Sequence, residues 1–218
     1  SHFELPTLPA SDFQTMSGDD GATSFSVDAK DFARLIDKTR FAISTEETRY
    51  YLNGVYLHGV KSDEGTPVLR TVATDGHRLA LAEIPAPKGS ENLEGVIVPR
   101  KAVAEARRLI DAADGDIDIE VSDTKIVVRA GRAVLTSKLI DGSFPDYSRV
   151  IPKGNDKKLV VENKAFEAAV DRVSTVSAER SRSVKMSLSE GKLALAVSHA
   201  ETGAGNEELE AEYSSDAM

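Results

Sequence analysis

Between residues 71 and 80 the chain reads Thr71-Val-Ala-Thr-Asp-Gly-His-Arg-Leu-Ala80. A carboxylate at Asp75, an imidazole at His77 and a hydroxyl at Thr74 are groups that could hold and orient a proton-transfer base. The same residues also describe a hairpin turned at Asp75-Gly76, because Asp-Gly tolerates the positive φ of a tight turn. No Gly-x-Ser-x-Gly elbow and no phosphate-binding loop accompanies them. The remaining histidines, His2, His58 and His199, lack metal-ligand spacing, and no carboxylate pair is marked out as acid and base. The residues therefore predict no metal and no cofactor. A second run, Thr48-Arg-Tyr-Tyr-Leu-Asn-Gly54, places Arg49 before two aromatics. That pattern suits a strand with one ring in the core and one at its rim, and it also suits rings that stack on bases. A third, Phe144-Pro-Asp-Tyr-Ser-Arg-Val-Ile-Pro152, is bounded by prolines like an ordered connector between domains.

These runs must be held by a scaffold, and the scaffold repeats. Apolar periodicity predicts helices near Lys30–Thr39, Lys101–Ala112 and Lys164–Val173, each led in by a short strand at Val27, Val98 or Val161. Pro99 takes a favoured first-turn position. Strands are predicted after the first helix near Arg49–Val60, Val68–Ala73 and Arg78–Glu83. The second is followed by Ile117–Val121, Lys125–Ala130 and Ala133–Leu139, the third by Val184–Ser189, Lys192–Val197 and Glu207–Tyr213. A period of about 65–70 residues exceeds that of a solenoid and points to duplicated half-domains of α+β class. Residues 1–25 read as a linker, with Pro6, Pro9 and the flexible Ser17-Gly-Asp-Asp-Gly21. Residues 26–153 then make one complete domain, and 154–218 the first half of another whose second half is missing, as in a truncated protein.

Charge decides what such a scaffold can touch. The 218 residues carry 27 Lys plus Arg against 36 Asp plus Glu, a formal net charge of −9 that argues against simple coating of nucleic acid. Cysteine is absent, which excludes disulfides, cysteine zinc sites and thiol catalysis and fits a cytosolic protein. No apolar run approaches the roughly 20 residues of a membrane span. On a helical projection Phe32, Leu35 and Ile36 form one stripe while Lys30, Arg34 and Lys38 lie opposite. Arg100, Lys101, Arg107 and Arg108 face away from the apolar side of the second helix. Lys164 and Arg172 take the places of Lys30 and Lys38 in the third. The acidic residues are read as lying elsewhere, in Asp19-Asp20, Asp114–Glu120 and Glu207–Glu212. Basic helix faces on an acidic chain predict loose, sequence-independent contact with a phosphate backbone.

Five stretches, in order and spacing, resemble the beta subunit of bacterial DNA polymerase III, the sliding-clamp family. They are Arg49-Tyr-Tyr-Leu-Asn-Gly54, Thr71 to Ala80, Val96-Ile-Val-Pro-Arg-Lys101, Thr136-Ser-Lys-Leu-Ile-Asp-Gly142 and Phe144-Pro-Asp-Tyr147. Leu5-Pro-Thr-Leu-Pro-Ala-Ser-Asp-Phe13 resembles the family's connector from first to middle domain. The resemblance implies a DNA-clamp fold of three similar domains and a homodimeric ring around double-stranded DNA in the bacterial cytoplasm. It also implies a non-catalytic role. A hydrophobic pocket would receive short motifs from the replicative polymerase alpha subunit, the clamp loader and repair proteins. By motif its residues are Leu52, Thr74, Gly76, His77, Arg78, Leu79, Pro145, Arg149 and Val150, with Leu52, Leu79, Pro145 and Val150 as the apolar groove. Arg49, Tyr50 and Tyr51 fall where the family has a DNA-facing loop. With most of the first domain and part of the last absent, the fragment is expected not to close a ring, and its pocket to be incomplete. The competing readings are an enzyme using Asp75 and His77 and a peptide-binding scaffold unrelated to DNA.

Overall fold

The computed structural model describes residues 2–9, 12, 22–177, 183–201 and 203–218, so the Ser17–Gly21 linker lies outside the described residues. The chain divides into two compact units, Ser1–Pro145 and Asp146–Met218. That division falls before the Lys153 boundary expected from sequence. The reason is local: the Phe144 ring stacks on Tyr56 of the first unit (4.8 Å, 2° between planes), and Asp146 opens a new turn by accepting from the Ser148 amide.

In the first unit, β1 (Thr23–Asp28) leads into α1 (Ala29–Thr39), followed by β2 (Gly54–Lys61), β3 (Pro67–Thr74) and β4 (Leu79–Pro85). The pattern then repeats with β5 (Val96–Pro99), α2 (Arg100–Asp111), β6 (Asp116–Val121), β7 (Lys125–Ala130) and β8 (Ala133–Lys138). Two antiparallel sheets result, ordered β1-β6-β7-β8 and β4-β3-β2-β5. Each leading strand thus pairs into the sheet of the other repeat, Val27 opposite Ile117 and Val55 opposite Val98. The helices share one core with both sheets, built on Phe32, Leu35, Leu57, Leu69, Ile117 and Ile119. Alternating burial along β6 shows the period of two that a half-buried strand requires, while Ile126, Val127 and Val128 of β7 are buried in succession.

Local chemistry sets the helix starts. Asp28 caps α1, its Oδ1 accepting from the amides of Lys30 (2.9 Å) and Asp31 (3.1 Å). Pro99 is the residue before α2 and gives no side-chain cap. The first amide of α2, on Arg100, donates instead to the Asn53 carbonyl at 2.9 Å. Inside the core the Thr71 hydroxyl donates to the Leu35 carbonyl (3.2 Å) and Thr39 to the same oxygen (2.8 Å), so neither buried hydroxyl is orphaned.

The second unit packs α3 (Asn163–Ser174) on β9 (Lys185–Ser189), β10 (Lys192–His199) and β11 (Gly203–Glu210), ordered β11-β10-β9. Glu162 caps α3 at the amides of Lys164 and Ala165. Ala169, Val173, Leu193, Leu195 and Val197 form its core. The leading strand expected at Leu159–Val161 is only a single bridge, Val160 with Glu212. In the first unit such strands are completed by the other repeat, and residues 146–218 contain one repeat.

Candidate functional site

The segment joining β3 to β4 is a four-residue loop, Asp75–Arg78, between the paired Thr74 and Leu79, and not a two-residue turn. Asp75 holds it. One carboxylate oxygen accepts from the amides of His77 (2.9 Å) and Arg78 (3.0 Å), and the other accepts from Arg78 Nε (3.0 Å). The Arg78 amide, then the His77 amide, pull the carboxyl pKa down to about 2. So weak a base is unfit for proton abstraction near neutral pH, and its lone pairs are already committed to the backbone. Thr74 completes the loop, donating to the Arg78 carbonyl (2.8 Å) and accepting from the Gly76 amide (3.1 Å). Gly76 itself sits at φ +91°, a conformation that disfavours any side chain.

The loop is flanked on both sides. On one, the Arg78 guanidinium lies 5.7 Å from the ring centre of Phe41, which is exposed. On the other, the Arg49 guanidinium covers the place a side chain on Gly76 would occupy. Arg49 is oriented by Glu46, whose Oε2 accepts from Nε (2.9 Å) and Nη2 (2.8 Å). Sequence reading missed both Phe41 and Glu46. An aromatic just past the end of α1 and a carboxylate three residues before an arginine were the available signals.

Arg49 to Leu52 do not form a strand. They belong to a 3-10 turn, Glu47–Leu52, kinked at Arg49 (φ −109°, ψ 53°). The turn is closed by bonds from the Asn53 amide to Tyr50 and from Ser44 to Leu52. Tyr50 is left exposed and Tyr51 half-buried, their rings edge to face at 5.8 Å, with Gly142 packed against them. Leu52 is 3% exposed and so does not line an open groove in this chain. Leu79 is half-buried, while His77, Arg78 and Pro145 are exposed. Arg149 and Val150 belong to the second unit, at a 3-10 turn Tyr147–Arg149, and both are exposed. Arg149 pairs there with Asp146 (3.1 Å). A cleft of about 600 Å³ between the β6–β7 turn and residues 138–142 contains none of these residues.

The helix faces are less basic than the sequence projection implied, because carboxylates are interleaved with the cations. Arg34 pairs with Asp31, and Arg108 with Glu105. Arg107 is engaged twice, by Asp111 on its own helix and by Asp37 of α1 (2.8 Å), and so ties the two helices together. Arg172 is held by Glu207 of β11, its Nε 3.0 Å from the nearer oxygen. Counted over their residues, α1, α2 and α3 carry net charges of +1, +2 and 0. Lys30, Lys38, Arg100, Lys101 and Lys164 are exposed and have no ion-pair partner among the described residues. Among the described residues no group of three or more His, Cys, Asp or Glu is placed to hold a metal.

Residues 26–146 match the model of the DNA polymerase III beta subunit central domain, and residues 148–218 match that of its C-terminal domain. The chain belongs to the DNA polymerase III beta subunit family. The beta sliding clamp of Caulobacter vibrioides is 56% identical over 213 residues, 98% of this chain and 57% of that protein. The Escherichia coli beta sliding clamp is 37% identical over 214 residues, again 98% of this chain and 57% of the relative. Among solved structures, a Caulobacter crescentus beta sliding clamp superposes with TM-score 0.92 at 55% identity, covering 99% of this chain and 58% of that one. A Bartonella birtlesii DnaN sliding clamp crystallised with griselimycin gives TM-score 0.92 at 50% identity, covering all of this chain and 58% of that one. The chain thus spans a little over half the length of these clamps, and the α+β architecture is the clamp fold.

Proposed function

We propose that this chain is part of a processivity clamp, a protein that retains a bacterial replicative polymerase on duplex DNA without covalent chemistry. The observation that carries the reading is the match of both successive domains, at 56% identity, to a beta sliding clamp. The intact protein would be a homodimeric ring in the cytoplasm. Exposed Lys30, Lys38, Arg100, Lys101 and Lys164 supply non-specific phosphate contacts. Tyr50 and Tyr51, on the turn after α1, are the candidates for stacking or backbone contact.

The peptide-docking surface of the first unit is proposed at Thr74, Gly76, His77, Arg78, Leu79 and Pro145, leaving out the buried Leu52. Support comes from the rigid Asp75-stapled loop, which presents exposed polar groups beside a half-buried leucine, as a rim does around a small apolar anchor site. For the second unit by itself, the exposed Arg149 and Val150 are proposed as peptide contacts. The partners fitting this surface are short linear motifs of the polymerase alpha subunit and the clamp loader. A fluorescence titration with a peptide carrying one leucine and one phenylalanine tests it. Saturable binding weakened about tenfold by Leu79→Ala, with the thermal midpoint unchanged, is expected. A peptide that binds wild type and Leu79→Ala equally overturns the assignment.

A further inference from the structure

Arg49 stands between the two proposed surfaces, on the turn that carries Tyr50 and against the loop that carries His77 and Arg78. Its side chain is one third exposed, yet two of its three guanidinium nitrogens are committed to one carboxylate oxygen of Glu46. The third, Nη1, lies over Gly76, where a side chain would be if the residue had one. The positive φ at Gly76 is what strains any other residue there, and a side chain at that place would also have to push the Arg49 guanidinium aside. The opposite flank is held by Phe41 beneath Arg78. An arginine meant for phosphate would extend into solvent with its fork free, because bidentate phosphate contact needs two parallel N–H groups. Here the edge formed by Nε and Nη2 is already occupied.

We propose that Glu46 and Arg49 form a brace that fixes the Asp75–Arg78 loop in its docking conformation and withdraws Arg49 from DNA. Glu46 is the positioning residue: it neutralises the cation and aims Nη1 at the loop. Losing the carboxylate has opposite effects on the two surfaces. The loop loses its outer wall, and the freed guanidinium becomes available to a phosphate backbone. The inference rests on the docking reading given above, and the two fail separately.

The test compares wild type with Glu46→Gln, Arg49→Ala and Arg49→Lys by amide hydrogen exchange, peptide titration and binding of a short DNA duplex across a salt series. Exchange at Gly76, His77 and Arg78 should quicken about fivefold in Glu46→Gln and Arg49→Ala, the size expected from losing charge-assisted hydrogen bonds at a partly exposed site. Arg49→Lys should not restore protection, since one ammonium cannot both meet Glu46 and cover Gly76. Peptide affinity should fall about threefold to tenfold in Glu46→Gln, while DNA affinity rises and its salt slope steepens by about 0.9. Unchanged exchange in both Glu46→Gln and Arg49→Ala overturns the brace, whatever the peptide does. A drop in DNA affinity in Glu46→Gln overturns the withdrawal of Arg49. A wild-type protein that binds no peptide overturns the docking reading, and the exchange data still decide the brace.

Discussion

The imidazole of His58 packs 4.7 Å from the Tyr56 ring and faces Arg70 across the β2–β3 pair, whose guanidinium is itself forked onto Glu83 (2.9 and 2.8 Å). Burial first, and the Arg70 charge second, lower its pKa from the usual 6.5 to about 4. The unfolded chain therefore binds a proton that the folded chain refuses. Stability from this residue is complete above pH 6.5 and is lost as pH falls from there to about 4, by roughly 2–3 kcal/mol in all. Denaturant titrations at a series of pH values should show that slope, and His58→Phe, which keeps a ring against Tyr56, should remove it. Asp75 acts lower on the scale. Its depressed pKa means loop order persists down to the ordinary carboxylate range and is lost as pH falls from 3.8 towards 2. Asp75→Asn should weaken exchange protection at the His77 and Arg78 amides at neutral pH. At Gly76, alanine meets both a positive φ and Arg49, and a loss of about 1–2 kcal/mol is expected by the same titration. The loop's motif was visible in the sequence, but its chemistry was not, because Asp75-Gly76 advertises a tight turn while the pairing of Thr74 with Leu79 leaves four residues between.

Helices were the most legible elements. The stripe of Phe32, Leu35 and Ile36 and that of Ala102, Val103, Ala106 and Ile110 are short-range patterns, and burial follows them. The Arg49–Leu52 run failed because a neighbouring carboxylate and distant glycines shape its turn: Glu46 sets the arginine, and Gly76 and Gly142 receive the side chains. The DNA-facing assignment also changes at this scale. Arg107 bonds Asp37 as well as Asp111, so reversing its charge strikes the α1–α2 contact before it affects any nucleic acid. Arg107→Glu should lower the thermal midpoint. Arg100→Glu with Lys101→Glu should leave the midpoint unchanged while weakening duplex binding and reducing the salt slope by about 2. Equal salt slopes for wild type and the double variant would remove α2 from the proposed DNA surface. The proposed docking residues come only from the family's ordered motifs, since no local period in the sequence marks them.

At the scale of the whole chain the two units differ in what sustains them. Among the described residues, the first has a core cluster of 26 buried apolar residues shared by two sheets and two helices, the second a cluster of five under a single helix. Hydrogen exchange should therefore show β9–β11 opening before β2–β7. Leu57→Ala, at a site 1% exposed, should cost the first unit about 3 kcal/mol. No helix among the described residues is long and apolar enough to cross a membrane. A net charge of −9, against +3 summed over the three helices, argues for low affinity for duplex DNA. Retention on DNA by encirclement would not need it to be high.

The crossed pairing of β1 with β6 and of β5 with β2 makes each repeat the custodian of the other's first strand. Such a unit is the covalent form of a two-fold dimer whose protomers have traded arms. A single repeat on its own would show a vacant sheet edge and would find its match in another copy of itself. Cutting the chain near Lys88, in the exposed part of the β4–β5 connection, would leave two pieces that each carry what the other lacks. Co-expressed, they should reassemble into one folded unit. Expressed alone, each should aggregate or dimerise.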